Sequence, residues 1–507
     1  MKQGLLTFLK TKPLFVLLLP VFFVLHGYVE NYSLIPAWDS FSLLLEYLIA
    51  TTILLSLFYF IFRNLLKAAI YSFFLLLVFF FFGSVHDLLK QSFPNTFILK
   101  YSVILPFLLI ASFSFFVLIR RTKKPFCLTS LYLNILFLIL IVTDAVILAK
   151  KNQDFIPKTF SQQFGPGFSI CDTCDKPDIY FIVADEYAGD QELKEIFHFD
   201  NSKFLDSLRQ LGFKVLKNTT SNYNFTPYSI ASTLNMDYLS LKDSLMTNNG
   251  LLPYDYINHN KLIPLLNATG YKTYNYSTFA LNNEPPPVDQ ALIPTKAQII
   301  YSQTFFYRLR RDLGYHIVYW KILNTPIKKM TYAPLKNNTK LYDLTKNLVL
   351  KKTNGPKFVY THLMLPHYPY YFDKYGHSYP YNTLIEGQQI NQKHYIEYLQ
   401  YANNELIQLT TYIQNNATKP TIIILISDHG FRHFTTPTER KYQFMNLNAV
   451  FLPKDYKPFP DSLSNVNLFR VLLNNVFQQK LPILKDSTVF LIEKVEARGE
   501  ETNKHFQ

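Results

Sequence analysis

The run Ile424–His433, ILISDHGFRH, is an apolar strand that stops at an Asp-His pair followed by glycine. A carboxylate and an imidazole side by side at the carboxyl end of a buried parallel strand sit where open α/β sheets keep their ligands, and both bind zinc or manganese well. Asp428 and His429 are therefore candidate metal ligands, with Arg432 and His433 just beyond them. The same residues also fit a plain turn, Asp428 capping and Gly430 at positive φ. Three further segments supply what metal-dependent phosphoryl transfer requires. In Pro177–Glu186, PDIYFIVADE, a strand-like run ends in Asp185 and Glu186, adjacent acids that repel unless a cation or donor lies between them. In Ser221–Asn235, Thr226 stands at a helix N-cap with Pro227 in the first turn, so its hydroxyl is exposed and the free N–H groups behind it favour an anion such as phosphate. In Tyr360–Tyr370, YTHLMLPHYPY, a strand delivers His362 and then His367, the latter between two prolines, both candidate substrate contacts. Singly, each has a structural alternative: Thr226 a cap only, His362 a core histidine, His367 a rigid loop residue.

A threonine hydroxyl is a poor nucleophile at neutral pH unless a metal or a base activates it. No His or Lys adjoins Thr226 in sequence, which favours metal activation. A cation, with His367 and Arg432 or His433, would then neutralise charge on the non-bridging oxygens of a phosphodiester attacked by Thr226.

In their order, these segments resemble the alkaline phosphatase superfamily in its sulfatase-like branch. Within it they are most similar to the membrane-anchored Thr-nucleophile group of lipid A phosphoethanolamine transferases and lipoteichoic acid synthases. The resemblance covers Asp175–Pro453 and includes NLNAVFLP, Asn446–Pro453. It implies Thr226 as nucleophile and metal ligand, Asp428 and His429 as the metal pair, Glu186 as the acidic ligand with Asp185 secondary, and His367 on the donor's phosphate. Sulfatases carry Cys or Ser in C/S-x-P-x-R, whereas Thr226-Pro227-Tyr228-Ser229 lacks both that residue and the Arg, so sulfate ester hydrolysis is not expected.

The elements that must position these residues fall into two regions. Five stretches are long and apolar enough to cross a bilayer at about 20 residues each: Pro13–Tyr28, Phe41–Phe62, Ala68–Gly83, Tyr101–Ile119 and Leu128–Leu148. Nine basic residues lie on one side of them (Lys2, Lys10, Lys12, Arg63, Lys67, Arg120, Arg121, Lys123, Lys124) and only Lys90 and Lys100 in the opposite short loops, which makes the first side cytoplasmic. An odd number of spans then places everything after Lys150 outside, with Tyr28, Tyr32 and Trp38 suited to an interfacial belt. Glu46, Asp144, His26 and His86 lie toward that outer face and either hold a headgroup, dock the soluble domain or simply snorkel. The formal charge of +14 fits membrane topology and anionic lipid better than nucleic acid, for which no motif or long basic run is present.

Beyond the spans, strand-like runs at Asp178–Ala184, Phe213–Leu216, Tyr271–Tyr276, Lys357–Leu363, Thr421–Ile426 and Asn448–Leu452 alternate with helical patterns at Lys203–Leu211, Lys261–Ala268, His394–Gln414 and Val466–Phe477. The expected fold is an N-terminal five-helix transmembrane bundle (1–150), a linker (151–176) and an α/β domain (177–490), followed by a mobile tail (491–507). The α/β domain should be alkaline phosphatase-like, with a mainly parallel sheet, helices on both faces and the segment Ala280–Asn354 as loops over the site. Cys171 and Cys174, in CDTC, read as a short disulfide or two free thiols rather than half of a zinc ribbon.

The expected protein is a cell-membrane metalloenzyme using Zn2+ or Mn2+. It would move a phosphoethanolamine or phosphoglycerol group from a membrane phospholipid to a surface glycan or glycolipid, the donor types being those the resemblance implies. A phosphodiester hydrolase on the same fold and an inactive membrane scaffold or sensor are the alternatives.

Overall fold

The computed structural model describes residues 2–32, 35, 37–93, 96–154, 168, 171, 173–239, 252–288, 297–318, 331–384 and 388–492. Gly165–Gly167 of the linker and the tail from residue 493 lie outside the described residues. The chain divides into two compact units, residues 1–157 with 293–323, and residues 158–292 with 324–507.

The first unit contains helices α1 (Lys2–Thr11), α2 (Phe15–Glu30), α3 (Ala37–Phe62), α4 (Leu65–Ser92), α5 (Tyr101–Arg121) and α6 (Cys127–Asp154). Among the described residues four helices, α3 to α6, are long and apolar enough to cross a membrane, not the five expected. The expected first span is the 16-residue α2, about 24 Å long at 1.5 Å per residue against a hydrocarbon core of about 30 Å. The helix is interrupted between α1 and α2 around Pro13, and Asn134 of α6 satisfies the freed backbone there: its Oδ1 accepts from Phe15 N–H at 2.6 Å, and its Nδ2 donates to the Leu9 and Lys12 carbonyls at 2.8 Å each. In hydrocarbon such groups have no water to turn to, which explains a fully buried Asn in an apolar helix. Asp144 is likewise buried and lies 3.2 Å from His26 Nδ1, while His86 Nε2 meets the Leu99 carbonyl at 3.1 Å.

Residues 297–318 pack onto these helices as a strap made of two short helices, Gln298–Tyr301 and Phe305–Val318. Two glycines admit it. A Cβ on Gly27 would lie 2.9 Å from Ile300 Cγ2, and one on Gly83 would lie 2.7 Å from the Gln303 carbonyl oxygen, to which Gly83 N–H already donates. Arg308, 2% exposed, pairs with Asp87 and also donates to Gln303 Oε1 at 2.8 Å. Removing the partner of a buried cation costs about 3–5 kcal/mol, less where that partner is half exposed as Asp87 is. Asp87→Ala is accordingly expected to lower stability by about 2–3 kcal/mol, and Gly83→Ala to lower it through the clash alone. Thermal unfolding of the full chain in detergent measures both.

The second unit is built on a six-stranded sheet. Its strands are β1 (Asp178–Ala184), β2 (Lys214–Val215), β4 (Lys272–Tyr276), β5 (Lys357–Leu363), β6 (Thr421–Ile426) and β7 (Asn448–Phe451), while β3 (Thr219–Thr220) and β8 (Leu463–Ser464) form a separate pair. The order is β2-β7-β6-β1-β5-β4, with β6, β1, β5 and β4 parallel and β7 antiparallel to both its neighbours. β1, β5 and β6 are buried along their whole length, as expected of strands covered on both faces. Alternation along β1 sends Tyr180, Ile182 and Ala184 into the core shared with helices Ser202–Gln210, Ala333–Leu350 and Gln392–Asn416. Phe181 points the other way and packs on Phe469 of helix Asn465–Val476 at 5.0 Å between centroids.

The segment expected as loops, Ala280–Asn354, instead contributes the strap and the 18-residue helix Ala333–Leu350. That helix buries Pro334, Asn337, Asn338, Leu341, Thr345, Leu348 and Val349, a stripe at helical spacing of which three members are polar. The polar members are used: Asn338 exchanges two hydrogen bonds with the Met364 backbone, and the Thr345 and Thr361 hydroxyls meet at 2.7 Å. The CDTC pair is a disulfide, with its Cα atoms 5.6 Å apart.

Candidate active site

β1 lies at the centre of the sheet, between β5 and β6, and the chain's chemistry collects at the carboxyl ends of these three strands. In register, Val183 stands opposite both His362 and Ile426, so two and three residues further Asp185 and Glu186 emerge beside Asp428 and His429. Glu186 takes φ 59°, a left-handed conformation that costs a non-glycine residue about 1 kcal/mol or more. This turn lets Glu186 N–H donate to Asp428 Oδ1 at 3.0 Å while Tyr187 N–H donates to Ser427 Oγ at 2.9 Å. The Tyr395 hydroxyl completes the bend, donating to the Glu186 carbonyl at 2.8 Å and accepting from Ala188 N–H.

Thr226 opens the helix Thr226–Asn235. The extended cap residue is Phe225, so Thr226 is the first helical residue rather than the N-cap the sequence suggested, and its side chain is not spent on capping. Its Oγ1 instead lies 3.2 Å from His429 Nε2 and donates to Asp185 Oδ1 at 3.4 Å. Ser229, one turn on, fixes the helix by donating to the Asp428 carbonyl at 2.6 Å. Thr226 is half-buried, whereas Asp185, Glu186, Asp428 and His429 are buried.

The histidines can be oriented from their second nitrogens. His429 Nδ1 lies 2.7 Å from the Gly430 carbonyl and His367 Nδ1 lies 2.6 Å from the Tyr368 carbonyl. A carbonyl only accepts, so each Nδ1 carries a hydrogen and each Nε2 faces the site. His367, between Pro366 and Pro369, both preceded by cis peptide bonds, presents Nε2 at 3.7 Å from Glu186 Oε2. His433 Nε2 lies 3.4 Å from Glu186 Oε1, to which Arg432 N–H also donates at 3.2 Å. The Arg432 guanidinium stacks on Phe225 at 4.2 Å, beside Thr226. His362 is placed differently, within β5 and 3.0 Å from Asp185 Oδ2.

Burial alone would raise Asp185, yet His367, His362 and His429 hold its carboxyl well below the usual range. Glu186 is likewise raised by burial but lowered overall by His433, His367, Arg432 and His429. Burial lowers His367, and Asp185 and Glu186 more than reverse this. The acids thus remain ionised at neutral pH in a dry site.

Of the carboxylate oxygens at the site, Glu186 Oε2 and Asp428 Oδ2 are buried with no hydrogen-bond partner among the described residues. Orphaned anionic oxygens are costly unless a cation meets them. Asp185, His362 and Asp428 also offer ligand atoms within 4.8 Å of one another. The donor set of carboxylates, imidazole and hydroxyl therefore fits a divalent cation such as zinc or manganese. Asp185 lies directly on Thr226, so it is as well placed as Glu186, the acid first favoured from sequence. Sequence reasoning missed Tyr395, Ser229, Ser427 and Tyr360. Only Tyr360 carried a signal, lying two residues before His362 on the same face of a strand.

A family profile described as Sulfatase matches residues 177–468. No curated protein shows a significant match. Among solved structures, the C-terminal periplasmic domain of EptC from Escherichia coli is 13% identical, with 60% of this chain and 84% of that chain covered and a TM-score of 0.37. The C-terminal periplasmic domain of the phosphoethanolamine transferase EptC from Campylobacter jejuni is 13% identical over 62% of this chain and 92% of that chain, with a TM-score of 0.35. The integral membrane lipooligosaccharide phosphoethanolamine transferase A from Neisseria meningitidis is 11% identical over 93% of this chain and 94% of that chain, with a TM-score of 0.36.

Burial, then Arg432, push His433 down to about 4 against the pull of Glu186. An unfolded histidine titrates near pH 6.5, so between that pH and about 4 the unfolded state binds the proton that the folded state refuses. Stability therefore falls on acidification through this window, by at most about 3 kcal/mol from this group. In chelator-treated protein the drop in unfolding temperature from pH 6.5 to 4 is expected to be smaller for His433→Gln than for the wild type. Equal drops would show that His433 is not held neutral.

Proposed function

The chain belongs to the sulfatase family, and from that premise we propose that it is a membrane metalloenzyme moving a phospho-headgroup from a membrane phospholipid to a surface glycan or glycolipid. The observation that carries this reading is the Thr226 hydroxyl at a helix start, in contact with both Asp185 and His429 and close to orphaned carboxylate oxygens. Helices long and apolar enough to cross a membrane in the same chain favour a lipid donor. The basic residues that follow α3 and α5, Arg63, Lys67, Arg120, Arg121, Lys123 and Lys124, favour an extracytoplasmic active site in a cell membrane.

Asp428, His429 and Thr226, with Glu186 and Asp185, are the residues that would hold Zn2+ or Mn2+. Bound there, the cation supplies the Lewis-acid charge that lowers the hydroxyl's pKa and offsets charge on phosphate oxygens. His367, Arg432 and His433 face the same space and would grip the non-bridging oxygens of the donor. Thr226 Oγ1 forms the bond to phosphorus as the lipid's glycerol oxygen leaves with the electron pair. Diacylglycerol departs, and the proton lost by Thr226 is balanced by the one that oxygen gains. The headgroup rests on Thr226 until an acceptor hydroxyl displaces it. The donor is of phosphoethanolamine or phosphoglycerol type.

Intact mass spectrometry of protein purified with its native lipids should show a headgroup-sized phosphate adduct that maps to Thr226, whose mass names the donor. The adduct should be absent from Thr226→Ala. An adduct persisting in that variant, or none in metal-loaded wild type, rules out the covalent scheme. Adding Zn2+ or Mn2+ to chelated wild type should also raise its unfolding temperature, and Asp428→Ala should abolish the rise.

A further inference from the structure

The buried pair behind Asp185 has no role in the scheme above. His362 lies in β5 with its ring edge-on to Phe279 at 5.5 Å, and its two nitrogens face different partners. Nε2 meets Asp185 Oδ2 at 3.0 Å, and Nδ1 meets the Tyr360 hydroxyl at 2.8 Å. Tyr360 is completely buried, and among the described residues its hydroxyl has this one hydrogen-bond partner. Burial, and then the charges of Asp428 and Asp185, keep the phenol protonated. Its hydrogen must therefore point at His362 Nδ1, or it would be buried without an acceptor. A ring nitrogen that accepts carries no hydrogen, so the imidazole hydrogen sits on Nε2 and is donated to Asp185.

This accounting separates two roles that proximity leaves open. Asp185, His362 and Asp428 are close enough to share an ion, but an Nε2 that carries hydrogen has no lone pair to give. We infer that Tyr360 and His362 form a positioning relay: Tyr360 sets the tautomer of His362, and His362 holds one oxygen of Asp185 so that the other faces Thr226. His362 is then neither a metal ligand nor a substrate contact. Both residues sit on one face of one strand, two positions apart, and β5 is paired in register with β1, so the backbone itself fixes the relay's length. This rests on the proposed metal-bound Thr226 in naming what Asp185 is positioned for; the relay itself stands on the hydrogen bonds alone.

The test uses the full chain in detergent with Co2+ as probe, reading its affinity and its d–d absorption. Tyr360→Phe, which changes one atom in a buried ring, should weaken Co2+ binding about 10- to 100-fold, the usual effect of losing a partner behind a ligand, with the bands unmoved. His362→Gln keeps an N–H donor for Asp185 and should retain binding with the same bands, and adding Tyr360→Phe to it should cost nothing more. A shifted band or lost binding in folded His362→Gln would make the imidazole a ligand, and unchanged affinity in Tyr360→Phe would remove the relay. If the wild type binds no Co2+, the metal reading fails, and 15N shifts of labelled His362 decide the relay alone: hydrogen on Nε2 supports it, hydrogen on Nδ1 overturns it.

Discussion

Three carboxylates, Asp185, Glu186 and Asp428, are buried together at the carboxyl ends of two adjacent strands, and the second unit is arranged around keeping them charged. Each would cost several kcal/mol to bury alone, even after relaxation. Compensation comes from every side. His362 arrives from β5, His367 from the loop after it, and Arg432 and His433 from the loop after β6. The backbone contributes Glu186 N–H and Arg432 N–H. Two of the carboxylate oxygens still lack a hydrogen-bond partner among the described residues, a deficit that a divalent cation would fit. The local scaffold follows from the same need. Ser229 and Asn465 both bond to backbone carbonyls of the Ser427–Asp428 turn, which ties the threonine helix and a helix on one sheet face to the same two residues.

Much of this was legible in the sequence because strands that are buried on both faces write themselves plainly. β1, β5 and β6 were read with the boundaries they have, since PDIYFIVA, KFVYTHL and TIIILI are apolar runs bounded by Pro, Gly or charge. Their order followed less directly, because a sheet's order depends on crossovers that leave no local signature. That the candidate residues converge was legible for the same reason as the strands: parallel strands bring their carboxyl ends to one edge, so whatever follows each run must meet there. Pairing within the site was not. Nothing in ADE says that the Asp, not the Glu, contacts Thr226, since that is set by the positive φ of Glu186 and by register with β5.

The misreadings have physical causes as well. Helix Ala333–Leu350 was hidden because asparagines and threonines do the work of apolar residues in its buried stripe, bonding to β5 instead of packing against it. The count of spans was too high because the first apolar stretch, Pro13–Tyr28, folds as the 16-residue α2, shorter than the other apolar helices. The strap escaped notice for a different reason. Its fit depends on Gly27 and Gly83, and an absent side chain in an apolar helix gives no sign of what it makes room for.

The strap also makes the protein a poor candidate for division into parts. Asp87 and Arg308 are 221 residues apart in the chain, which at ordinary translation speeds of roughly 5–20 residues per second separates their synthesis by about 10 to 45 s. All the long apolar helices are made before their last partner exists. During that interval Asp87 waits without its cation, and the surfaces at Gly27 and Gly83 lack the strap residues that pack on them. A fragment that ends after the last span would remain in that state permanently, so the half that looks separable on a hydropathy plot is completed only by residues that a shortened gene would discard.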